Sequence, residues 1–175
     1  LWTDVDHILL VYVGSAAEFA LVEENHWLFF THKLPSAPLE RLVSTLVWNR
    51  KVMEVSEQEA MTLAQTIRGF HDMVEEERKN EEGGHPKISK QAFREVGGML
   101  IDYGLLGEAY LSGEAVSEAD QETYYQDQRR FFEAMGITGW EDSYQEYAAD
   151  RETERERDLQ ENEYTWKLFE AYRKD

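Results

Sequence analysis

Ala60, Leu63, Ala64, Ile67, Phe70, His71 and Val74 recur at the i, i+3, i+4, i+7 spacing that marks the buried face of an α-helix. A bare imidazole on that face is costly to bury, so His71 needs a hydrogen-bond partner or a metal ion. A neutral imidazole on a rigid helix is a good metal ligand when a partner on its second nitrogen fixes the tautomer. Asp102, set in an otherwise apolar segment, is the candidate partner. Arg41 and Thr45 lie four apart, on one face of a second helical segment, with Trp48 a further turn on. They read either as a cation and a hydroxyl at the edge of a pocket, or as a surface arginine whose stem runs past Leu42 and Leu46. Glu23-x-x-His26 and Asp4-x-x-His7 have the spacing or a near relative of the spacing used in helical di-iron sites. Such pairs also arise by chance in an acid-rich chain. No glycine-rich phosphate loop, G-x-S-x-G elbow or H-E-x-x-H sequence occurs.

The elements that must position these residues read almost entirely as helix. Asp4 to about Glu24 is a mostly apolar helix capped by Asp4 or Asp6. Asn25 to Pro38 holds two prolines and the aromatics Trp27, Phe29 and Phe30, and reads as a turn packed on the core. Pro38 suits the first turn of a helix to about Met53. Ser56 and Glu59 make a capping box for the helix that bears His71, which ends in the charged stretch 75–80. Glu82-Gly83-Gly84-His85-Pro86 is a loop. Ser89 opens a helix to about Ser112 whose centre is apolar on nearly every face, the expected buried helix of the fold (about 88–112). It carries Gly97, Gly98, Gly104 and Gly107, although glycine costs a helix roughly 1 kcal/mol against alanine. Something approaches that backbone closely: another helix, or a flat ligand. Ser117 starts the next helix, ended by Gly136, and one or two more follow Trp140. Residues 151–163 read as a solvated face, with a last apolar patch of Tyr164, Trp166, Leu168, Phe169 and Tyr172. The expectation is an all-α, single-domain bundle of about six to eight helices over residues 1–175.

Composition removes several classes of function. There are no cysteines, hence no disulfides, thiolate metal sites or cysteine nucleophiles. The net charge of −18 disfavours nucleic-acid binding, because the surface repels phosphate backbones. The longest apolar run, Ile8 to Val13, is far shorter than a membrane span. A cytoplasmic location is the expectation, with the oligomeric state left open. Because the chain opens at Leu1 and stops in a charged run, a trimmed domain is expected.

Several short motifs in a fixed order complete the reading. An apolar first helix is followed by Leu34-Pro35, Ala37-Pro38-Leu39-Glu40-Arg41-Leu42 and Ser44-Thr45. Ile67 to His71 comes next, then Leu100-Ile101-Asp102-Tyr103, Tyr124-Tyr125 to Phe131, and Met135-Gly136-Ile137. In this order the chain resembles the oxygenase family that unites the fungal mycophenolic-acid-pathway oxygenase MpaB with the rubber oxygenases (latex clearing proteins), and most of all its short bacterial members. The resemblance implies an all-helical fold holding a b-type haem. It implies that His71 ligates the haem iron, and that Arg41 and Thr45 lie on the ring's other side. Asp102 would orient His71, and Gly104 and its neighbours would give the macrocycle room. The implied reaction is cleavage of a carbon–carbon double bond in an apolar, isoprenoid-like substrate by dioxygen. Two features depart from the family pattern. Ser44 stands where rubber oxygenases have lysine, and Glu75-Glu76 replaces a basic-glycine pair. The alternatives are a helical domain that kept the fold without a cofactor, and a non-haem metal enzyme using Glu23 and His26.

Overall fold

The computed structural model describes residues 4–22, 25, 47–48, 51–52, 55–79 and 88–174. Arg41, Ser44, Thr45, Glu23, His26, His32, the aromatics 27–30 and the loop 82–86 lie outside the described residues. Six helices follow in order among those described: α1 (Val5–Phe19), α2 (Glu57–Lys79), α3 (Lys90–Ser112), α4 (Glu118–Ala134), α5 (Tyr144–Asp158) and α6 (Glu163–Tyr172). The same residues contain no sheet; one isolated bridge pairs Val22 with Leu159. The fold is all-α, as the periodicity requires.

Side chains that satisfy the first backbone N–H groups set the helix starts. Asp4 accepts from the backbone N–H of Asp6 at 2.7 Å, and Ser89, Ser117 and Ser143 cap α3, α4 and α5. The Ser56–Glu59 box forms as expected: the Glu59 carboxylate accepts from the Ser56 backbone N–H at 3.0 Å, and Ser56 Oγ accepts from the Glu59 N–H at 3.4 Å. Gly113, at φ 71°, ends α3 in the left-handed region open to glycine.

α3 is the central element. Phe93, Met99, Ile101 and Leu105 are buried, and aromatic side chains pack around them: Tyr125 stacks on Tyr147 at 5.0 Å and Phe132 on Trp140 at 5.4 Å. The burial stops short of the expected length, because Leu106, Tyr110 and Leu111 are exposed. The glycines of α3 are filled by the protein itself. A methyl group on Gly97 would meet the Trp140 indole; on Gly98, Arg151 Nε and the Tyr147 hydroxyl; on Gly104, the Tyr124 hydroxyl; on Gly107, the His7 ring. The expectation that Gly104 and its neighbours make room for a flat ligand is therefore corrected: side chains of α1, α4, α5 and the turn after α4 occupy that room. α1 reciprocates at Gly14, where the Tyr103 ring lies against its backbone.

The second correction concerns charge. Residues 151–163 do not form a wholly solvated face, because the Arg151 side chain is only 4% exposed. Its guanidinium bonds Glu18 of α1, Glu95 of α3 at 2.5 Å and Asp102 of α3 at 2.9 Å. Arg155 adds a 2.6 Å contact to the other oxygen of Glu18, which also accepts from Tyr103 Oη at 3.0 Å. Glu18 and Glu95 are 2% exposed. Three helices are thus joined by a buried ionic cluster. At the same, C-terminal end of α1, Leu168 and Phe169 of α6 pack on Phe19 and Ala20.

Two substitutions test this packing. Arg151→Ala leaves buried carboxylates without their shared cation and is expected to destabilise the fold by about 3–5 kcal/mol, read from urea unfolding. Gly14→Ala drives a methyl into the Tyr103 ring. Overpacking of about 1–3 kcal/mol should outweigh the ~1 kcal/mol gain in helix propensity, lowering the unfolding midpoint.

Candidate functional site

His71 sits on α2 and is half-buried. Its Nδ1 lies 2.9 Å from the carbonyl oxygen of Ile67, one turn earlier on the same helix. A carbonyl can only accept, so Nδ1 carries a hydrogen, and in the neutral imidazole the lone pair is then on Nε2. The ring meets Phe93 of α3 edge to face at 5.2 Å. On the same phenyl ring rests the Arg68 guanidinium, 4.9 Å from its centre, and Arg68 is itself paired with Asp72 at 2.8 Å. Backbone and aromatic contacts therefore hold the imidazole at one orientation and in one tautomer. Beside Phe93 a cleft of about 490 Å³ opens between α2, the start of α3 and the end of α4, lined by Arg68, Asp72, Lys90 and Met135 among others.

The sequence-predicted residues are not all brought together. Asp102 does not take the orienting role expected of it at His71 Nδ1; the Ile67 carbonyl takes that role. The Asp102 carboxylate is turned instead to Tyr147 Oη at 2.9 Å and Arg151 Nε at 2.9 Å. Burial pushes its carboxyl above the usual aspartate range, while Arg155 and Arg151 pull it down. Burial likewise raises the Tyr147 hydroxyl well above the ordinary tyrosine value. Gly104 is covered by Tyr124, and its carbonyl accepts from His7 Nε2 at 2.8 Å. The Asp4–His7 spacing carries no metal chemistry here: Asp4 caps α1, and His7 is buried against α3. Among the described residues, no group of three or more His, Cys, Asp and Glu could hold a metal ion, and no helix is long and apolar enough to cross a membrane.

The donor chemistry of His71 fits a haem ligand: an imidazole on a helix, with Nδ1 bonded to a backbone carbonyl and Nε2 left as the nitrogen that would meet the iron. Asp102 and Gly104 are not part of that fit. Trp48, three positions after Thr45 in the sequence, is among the described residues. Its ring meets Phe70, the residue before His71, at 5.7 Å.

Sequence reasoning missed Glu18, Glu95 and Arg151. A signal for them exists. Glu18 and Glu95 interrupt apolar stripes on α1 and α3, as Asp102 does, and Arg151 and Arg155 stand four apart, on one face of a single helix.

Residues 11–159 match the family model described as the catalytic domain of the ER-bound oxygenase mpaB/B′ and rubber oxygenase. No curated protein and no solved structure matches the chain. The match spans most of the chain, including α2 with His71 and the whole of α3 to α5, and the chain belongs to the mpaB/rubber oxygenase catalytic-domain family.

Proposed function

We propose that this chain is a haem-dependent oxygenase in which His71 would hold the haem through Nε2, and Arg41 and Thr45 would supply a cation and a hydroxyl to the reacting oxygen. The observation that carries this reading is the tautomer of His71, fixed by Ile67 O on a helix that the family match includes. When bound, a haem supplies the activation of dioxygen. The rest falls to the protein's own residues. The Ile67 carbonyl draws on the Nδ1 hydrogen and makes Nε2 the more basic donor. Phe93 limits rotation of the ring. Arg41 brings a cation and Thr45 a hydroxyl, donors that stabilise negative charge developing on oxygen. Trp48, three positions after Thr45 in the sequence, meets Phe70, the residue before His71.

The substrate in this reading is apolar and isoprenoid-like. Dioxygen adds across one carbon–carbon double bond, which breaks to give two carbonyl groups, and both oxygen atoms are retained in the products. A second cleft, of about 370 Å³, supports an apolar substrate: Met61, Leu100, Phe131 and Phe132 are among its lining residues. A cofactor-free helical domain is the second reading, favoured by the filled glycines of α3.

Titration of the purified chain with haemin separates the two. Binding is expected at one haem per chain, with a shifted Soret band that His71→Ala abolishes. Arg41→Ala and Thr45→Ala should keep the band and lower double-bond cleavage of a short polyisoprenoid by about a hundredfold each. A folded chain with no Soret shift, or a His71→Ala variant that binds haem equally well, selects the cofactor-free reading.

A further inference from the structure

Tyr147 has one hydroxyl hydrogen and two neighbours that would accept it. Its oxygen lies 2.9 Å from Asp102 Oδ1 and 3.1 Å from the carbonyl oxygen of Gly98. If Asp102 is ionised, three oxygens share a single hydrogen. The charges around the same carboxyl are also unmatched. Glu18, Glu95 and Asp102 pair with the guanidiniums of Arg151 and Arg155, and Glu154 also lies 3.7 Å from Arg151, so the two cations are outnumbered and negative charge is left over. The Asp102 side chain is 13% exposed, so water does little to offset that charge.

We propose that Asp102 holds a proton on Oδ1 at neutral pH, and that this proton makes the junction of α1, α3 and α5 sensitive to pH. Asp102 Oδ1–H donates to Tyr147 Oη, Tyr147 O–H donates to the Gly98 carbonyl, and Asp102 Oδ2 accepts from Arg151 Nε. Every hydrogen then has one acceptor, and three carboxyl groups carry two negative charges against two arginines.

The other carboxylates offer no such place. Glu95 accepts from Gln91 Nε2 at 2.6 Å on one oxygen and from Arg151 on the other. Glu18 accepts from Arg151, Arg155 and Tyr103, whose hydroxyl is pushed up to about 12 chiefly by burial and so keeps its hydrogen. The groups that face Asp102 are Tyr103 from α3 and Tyr144, Tyr147, Arg151 and Arg155 from α5, and those two arginines also carry Glu18 from α1, Glu95 from α3 and Glu154 from α5. Tyr125 of α4 stacks behind Tyr147. Glu154 is the competitor for the proton. It lies 3.7 Å from Arg151 and 3.8 Å from Arg94, and burial and the Glu95 charge raise its carboxyl too.

The direction of the pH effect follows from which state holds the proton. Above the ordinary aspartate range the unfolded chain has lost it and the folded chain keeps it. The contribution to stability is complete below that range and is lost as pH rises through the raised folded value. Across that window the folded-to-unfolded ratio falls by up to about tenfold per pH unit on this account.

Infrared spectra and urea unfolding of the full chain test the proposal. The carbonyl stretch of a protonated carboxyl is separate from that of carboxylates, and surface acids are ionised at pH 7. Wild type should show the protonated band at pH 7, Asp102→Asn should lack it, and Glu154→Gln should retain it. Asp102→Asn should match wild-type stability at pH 7 or exceed it, and its advantage should grow with pH inside the window. The proposal is overturned by a wild type without the band, or by a band that survives Asp102→Asn and disappears in Glu154→Gln. It is equally overturned by an Asp102→Asn variant whose folded-to-unfolded ratio at pH 7 is more than a hundredfold below wild type. Should Asp102→Asn not fold, Tyr147→Phe decides: the band shifts if the proton lies between these two side chains, and an unshifted band counts against it.

Discussion

The guanidinium of Arg151 is enclosed by carboxylates from α1 and α3, and their mutual burial fixes how α5 lies on those two helices. Apolar contact is tolerant of small displacements; a charge taken out of water is not, because each unmatched bond carries a full desolvation penalty. Glu18, Glu95 and Asp102 must therefore meet the nitrogens of one planar group at hydrogen-bond distance. Gly98 allows this by leaving space for Arg151 Nε and the Tyr147 hydroxyl against the α3 backbone. Glycine in the middle of α3 weakens the helix locally, and the approach of a buried cation offsets that weakness.

The same arrangement separates the chain's two polar regions. One is the ionic cluster, where Asp102 faces α1 and α5. The other is His71, where α2 meets α3 through Phe93. They use different faces of α3, so the residue expected to orient the imidazole is engaged elsewhere. A helical carbonyl one turn back does that work at no cost in buried charge, since the Ile67 oxygen is fixed by the helix that carries His71. The candidate ligand is thus oriented within a single element, and among the described residues the aromatic edge of Phe93 packs against it. The relevance of this to catalysis rests on the family to which the chain belongs and on chemistry that Arg41 and Thr45 would supply.

Much of the fold was legible along the chain. Ser56, Ser89 and Ser117 mark helix starts and Gly136 a helix end, because a cap bonds backbone groups a few residues away. The apolar periodicity of α2 and α3 pointed to an all-α fold, and the order of short motifs carried the resemblance to an oxygenase family. His71 was legible as an imidazole on an apolar face. Its Nδ1 partner was misjudged, because an acid in an apolar helix looks like the only available acceptor when backbone carbonyls are left out of account.

What the sequence alone determined is therefore local: where helices begin and end, which faces are apolar, and which polar residues interrupt those faces. Which groups meet was decided only by the tertiary structure. The glycines of α3 announced a close approach, but whether a tyrosine, an indole or a flat ligand fills each one depends on elements far along the chain. The same holds for charge. Glu18 and Arg151 are 133 positions apart, and no periodicity or spacing links residues at that separation. Only packing α1 and α5 against the same stretch of α3 brings them together, and the penalty for leaving either buried alone makes the pairing specific.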